Sequence, residues 1–142
     1  MSKYNTNLAS EFWVLSILHR LGADAYLTLG NKKSVDIVVQ GSNGSTLTID
    51  VKGVAKPYDW PADNIKLPGK PNHYYVLVCF EGKIQEPDKS PSAWVIPSSD
   101  LEPFVKDYRT RKVVSRMLIK NNGEKFRRAW HLLTEPNSSS TL

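Results

Sequence analysis

Residues 35–52, "VDIVVQGSNGSTLTIDVK", decide the fold. Two runs rich in β-branched residues, 35–40 and 46–52, flank "GSNGS" at 41–45, a stretch suited to a hairpin loop. In the returning run, Leu47, Ile49 and Val51 take one face of an extended chain, while Thr46, Thr48, Asp50 and Lys52 take the other. The apolar face marks the core. The opposite face ends in a carboxylate and an ammonium, and the plainest account is a solvated strand face whose ion pair is worth under about 1 kcal/mol.

Working outward from the hairpin, Asn5–Leu21 reads as a helix, with Asn5, Thr6 or Asn7 as its cap and Gly22 as its stop. "ADAYLTL" (23–29) is a short strand and "GNKKS" a turn. Pro57, Pro61, Pro68 and Pro71 exclude a long helix from 53–72. "HYYVLVCF" (73–80) is apolar on both faces, as a central strand is, and "AWVIP" (93–97) is a further strand. A helix is expected to start at Ser98 or Ser99 in "SSDLEPFVKDY", and a final one to span "NNGEKFRRAWHLL". This order predicts an α/β fold: a mixed central sheet, made of an antiparallel meander plus a crossover strand, flanked by helices. No repeat or linker divides the chain, so residues 1–135 are expected as one domain and 136–142 as a tail.

At 142 residues the chain can bury a core without covalent staples. Its single cysteine, Cys79, lies in the apolar run and reads as a buried reduced thiol, which favours a cytoplasmic setting. "MSKYNTNLAS" lacks the layout of a signal peptide, and no apolar stretch approaches membrane-spanning length, so no membrane role is expected. The net charge of +5 is uneven: residues 105–128 hold nine basic residues against Asp107 and Glu124. That excess suits either a polyanion-binding surface or solvated helix faces.

Three acidic residues sit where acids are costly. Glu11 projects between Leu15 and Leu18 on the first helix, with a helix-dipole role as the alternative. Asp36 interrupts a β-branched run, where it could also cap the preceding turn. With an odd-numbered loop between the strands, Asp36 lies across from Asp50 on the same face. Like charges so paired need a cation between them, and Mg²⁺ asks for only one or two carboxylates plus waters. Lys52 would then stand beside the water that such a cation activates.

Glu11 on a first helix, Asp36 on the second strand and Asp50-Val51-Lys52 on the third resemble the PD-(D/E)XK nuclease superfamily. That group includes restriction endonucleases and archaeal Holliday junction resolvases of similar length and motif order. The motifs cover residues 8 to about 53, and the element order extends the likeness to about 97. The resemblance implies a restriction-endonuclease-like fold and Mg²⁺-dependent (or Mn²⁺-dependent) hydrolysis of phosphodiesters in DNA. It implies that Asp36 and Asp50 bind the metal with the Val51 main-chain carbonyl, that Glu11 supports the site directly or through water, and that Lys52 activates the nucleophile. Cutting both strands would call for a homodimer. Two departures stand out: Val35 rather than proline precedes Asp36, and 53–72 is too proline-rich for the long helix usual after the third strand.

Nucleic-acid contacts are expected from Lys32, Lys33, Lys56 and Trp60 around the sheet, and from Arg109, Arg111, Lys112 and Arg116 in the basic stretch. Trp60 has an alternative as a packed loop aromatic. His19, His73 and His131 show no zinc-ligand spacing. Two other roles remain open on the same scaffold: a nucleic-acid-binding module without cleavage, and an interaction or immunity module.

Overall fold

The protein is described from a computed structural model, over residues 4–28 and 35–134. Helix α1 (Thr6–Arg20) begins where Asn5, in extended conformation, accepts the Leu8 N–H at 3.0 Å on its side chain. It ends at Leu21, and Gly22 follows with φ of +85°, a left-handed conformation that glycine adopts without cost. Strands β1 (Asp24–Leu27), β2 (Ile37–Gln40) and β3 (Thr46–Val54) form the antiparallel meander. After the short strand β4 (Trp60–Pro61), β5 (His73–Cys79) returns parallel to β3, and β6 (Ser92–Pro97) pairs antiparallel with β5. The result is a five-stranded mixed sheet in the order β1-β2-β3-β5-β6. Residues 29–34, which hold the expected turn with Lys32 and Lys33, lie outside the described residues.

The hairpin register runs from Gln40 opposite Thr46 to Ile37 opposite Ile49, across the loop at 41–45. That register puts Leu47, Ile49 and Val51 on one face with Val76, Val78 and Val95, beneath Val14 and Leu18 of α1. The other face, built by Tyr75, Leu77, Cys79, Trp94 and Ile96, packs on Trp60, Phe104, Val114 and Ile119. This second cover includes a three-stranded sheet in the order β4-β8-β7, with β7 at Val105–Asp107 and β8 at Lys112–Val114.

That small sheet corrects the sequence reading of the C-terminal third. The helix expected from Ser98 is replaced by two single 3₁₀ turns, Ser98–Asp100 and Glu102–Phe104, leading into β7. Pro103 sits in the first turn of the second of these, where it is tolerated, and Val105 then turns extended. The expected final helix is also broken. Helix α2 (Arg116–Asn122) is capped by Ser115, whose side chain accepts the Leu118 N–H, and it stops at Gly123. A Cβ at Gly123 would press on the Ile119 carbonyl, so the chain closes there. Arg127 then bridges to Trp94 and the Arg128 N–H bonds the Ala93 carbonyl, which leaves only a short helix α3 (His131–Thr134). Pairing with β6 wins over helical continuation. Among the described residues no helix is long and apolar enough to cross a membrane.

Candidate active site

The site arises because β2 begins only at Ile37 while β3 continues to Val54, so among the described residues the far half of β3 is paired only on its β5 side. The Ile49 carbonyl accepts the Asp36 N–H at 2.8 Å, so the odd-numbered residues of β3 turn their backbone groups towards β2. Val51 is the next of these. Its N–H is taken by Asp36 Oδ2 at 2.7 Å rather than by a strand carbonyl. The Val51 carbonyl points the same way, into the opening where β2 has stopped. A strand end thus yields one bound aspartate and one oriented carbonyl.

Asp50 and Lys52 stand on the face of β3 opposite the α1 core, with Lys52 Nζ 3.7 Å from Asp50 Oδ2. Glu11 arrives from α1, and Gly53 allows it to come close. A Cβ at Gly53 would overlap the hydroxyl of buried Ser10, which donates to the Thr6 carbonyl at 2.7 Å. Ser10 precedes Glu11, so the glycine sets how near the Glu11 carboxyl lies. Glu11, Asp36, Asp50, Val51 and Lys52 together line a cleft of about 320 Å³.

Sequence reading missed the other polar side chains of that cleft, Asn7, Asp63 and Asn64. Asp63 and Asn64 lie in the Pro-rich crossover, which carries no periodicity to place them. A long-range bond does so instead, Asp63 Oδ1 accepting the Lys112 N–H at 2.8 Å.

The cleft's electrostatics are those of crowded acids. Burial pushes the Asp50 carboxyl up to about 7; Lys52 pulls it down in part, while a hydrogen bond and repulsion from Asp36 raise it further. Burial and Asp36 also raise Glu11. The Asp36 charge thus opposes ionisation of the buried Asp50 carboxyl, a cost that a bound cation removes. Their oxygen-only chemistry fits a hard divalent ion such as Mg²⁺. Among the described residues no trio of His, Cys, Asp or Glu stands at ligand spacing. Asp36, Asp50 and the Val51 carbonyl are the cleft oxygens that could hold such an ion, with water completing its shell.

A second cleft of about 220 Å³ adjoins the first, sharing Asp50 and Asn64 with it and bounded by Lys66, Lys70, His73 and Tyr75. His73 is held by Thr48, with Nδ1 2.6 Å from Oγ1, and its ring meets Tyr75 edge-on at 5.0 Å. Burial, then Lys70, push its pKa down to about 4, so the ring is neutral at pH 7.

The residues expected to hold nucleic acid divide sharply. Lys56, Arg109 and Arg111 are exposed, the two arginines at the turn between β7 and β8. Lys112 is committed within the protein, Nζ donating to the Ile65 carbonyl at 3.0 Å. So is Arg116, whose guanidinium pairs with Glu81 at 3.0 Å and reaches Cys79 Sγ at 3.4 Å. Trp60 is a correction. It is fully buried, its indole N–H donates to the Val78 carbonyl at 3.0 Å, and it packs edge-on to Trp94, so no base can stack on it.

The fold has a solved counterpart. The structure of a bacterial homing endonuclease, I-Ssp6803I, superposes with a TM-score of 0.53 over 94% of this chain and 93% of that one, at 16% sequence identity. The chain thus has a fold that a nuclease uses. No protein-family model matches the chain, and no curated protein matches it in sequence.

Proposed function

We propose that this protein is a Mg²⁺-dependent DNA endonuclease of the PD-(D/E)XK kind. The observation that carries the proposal is that Asp36 and Asp50 line one cleft at the open end of β2, with Asp36 held by the Val51 N–H and Lys52 3.7 Å from Asp50. The likeness in fold to a homing endonuclease supports it. In this proposal Asp36, Asp50 and the Val51 carbonyl hold the cation, and Glu11 steadies the site from α1. When bound, the cation polarises a phosphate oxygen and lowers the pKa of water. Asp36 is fixed by the Val51 N–H, so its second oxygen is oriented before any ligand arrives. Lys52 Nζ, beside Asp50, positions the attacking water and handles its proton. Exposed Lys56, Arg109 and Arg111 supply backbone contacts to the duplex.

Incubating supercoiled plasmid with the protein in Mg²⁺ or in a chelator tests the proposal. Nicked or linear DNA is expected only with the metal, and Asp50→Asn should abolish it. Tight DNA binding with no metal-dependent cleavage across plasmid, linear, branched and single-stranded DNA would point instead to a non-cleaving binding module.

A further inference from the structure

Charge is segregated along the two adjoining clefts. The first holds Glu11, Asp36, Asp50 and Asp63 against a single cation, Lys52. The second holds Lys66 and Lys70 against Asp50 alone, since His73 is neutral. Neither lysine side chain takes part in an ion pair among the described residues. The backbone that carries them is nevertheless fixed at both ends. Ile65 is buried, its N–H bonds the Ala62 carbonyl at 3.1 Å, and its own carbonyl accepts Lys112 Nζ. Gly69 presses so closely on the Ser98 backbone that a Cβ would overlap it, and the Lys70 N–H donates to Ser98 Oγ at 3.3 Å. Two unpaired cations on an anchored loop, one wall away from Asp50, make a place for an anion.

We infer that the second cleft is a phosphate subsite in which Lys66 and Lys70 hold the backbone phosphate one nucleotide away from the phosphate bound at Asp36 and Asp50. The inference deepens the nuclease proposal and rests on it. Tyr75 is only 6% exposed, so the cleft offers no ring for a base to stack on and selects for charge. Ammonium groups grip phosphate as point charges, which suits a sequence-independent backbone contact. Fixing the neighbouring phosphate would hold the strand in register over the acidic cleft, where phosphate is otherwise repelled.

The test compares two small probes, thymidine 3′,5′-bisphosphate and thymidine 5′-monophosphate, titrated by NMR with Ca²⁺ in place of Mg²⁺. The bisphosphate is expected to bind about tenfold more tightly, because it alone reaches both clefts. The combined change Lys66→Ala and Lys70→Ala should erase that advantage while leaving monophosphate affinity and thermal stability unchanged, both side chains being exposed. Lys89→Ala, an exposed lysine outside both clefts, should leave the advantage intact. Equal affinities for the two probes, or an advantage that survives loss of both lysines, would overturn the subsite. Plasmid cleavage by the unaltered protein is scored separately. Absence of metal-dependent cleavage sinks the nuclease proposal, whereas the probe titration decides the subsite either way.

Discussion

Asp36 Oδ2 accepts the Val51 N–H at 2.7 Å, one side chain standing in for the strand that stops at Ile37. This bond gives Asp36 two duties, closing the ladder and facing Asp50. Asp36→Ala leaves a half-buried N–H without a partner and should cost about 1–3 kcal/mol in denaturant unfolding. Asp36→Asn keeps an acceptor oxygen and removes the charge, so it should unfold close to the parent while losing metal binding. Equal destabilisation by the two changes would show that the bond contributes nothing.

The Asp50 carboxyl, raised by burial to about 7, predicts an unusual pH dependence. Its folded pKa lies above the ordinary carboxylate value, so the folded state holds a proton that the unfolded state has lost. Stability from this group is therefore complete below about pH 4 and falls as pH rises towards 7, by at most about 4 kcal/mol. Metal-free melts across that range should show the fall. Asp50→Asn should flatten it and melt at an equal or higher temperature at pH 7. Added Mg²⁺ should stabilise the parent near neutral pH and leave the variant unmoved. A marked loss of stability in Asp50→Asn would instead identify the Lys52 pair as structural.

Lys52→Ala separates cutting from holding. One cation beside four acids adds little to a many-contact footprint, so DNA affinity should stay nearly constant. Single-turnover cleavage should slow by a factor of about 10² or more, the usual worth of positioned proton transfer. A matching loss in affinity would make Lys52 a phosphate ligand.

The basic stretch should split by burial. Arg109→Ala with Arg111→Ala should weaken DNA binding and reduce the slope of log affinity against log salt by close to two, without loss of stability. Arg116→Ala breaks a half-buried pair with Glu81 and should destabilise by about 1–3 kcal/mol. If the arginine pair leaves the salt slope unchanged, the turn between β7 and β8 does not touch DNA.

Legibility in the sequence followed the length of each element. The hairpin, α1 and β5 were readable because each carries several turns of its period, with caps or a loop that agree with it. Strands β4, β7 and β8 span two or three residues, too few for any alternation to show. Their existence depends on distant partners, as Val114 on Trp60 and Phe104. Glu11, Asp36, Asp50 and Lys52 stood out because charge on a buried face is conspicuous. Asp63, Asn64 and Lys70 did not, since an irregular loop gives no expected face for a polar residue to violate. Trp60 misled for the same reason: nothing local tells a stacking platform from a core anchor.

The shortness of β2 also bears on how copies of this chain avoid one another. Beyond Asp50, β3 has a strand neighbour on one side only among the described residues, and such a margin invites a strand from another molecule. Here the margin is guarded by Glu11, Asp36, Asp50 and Lys52, charges that an incoming strand would have to desolvate. The cluster that would hold a metal thus doubles as protection against sheet-to-sheet association. Neutralising all four at once should make the protein prone to aggregate, an outcome visible by light scattering at concentrations where the parent stays dispersed.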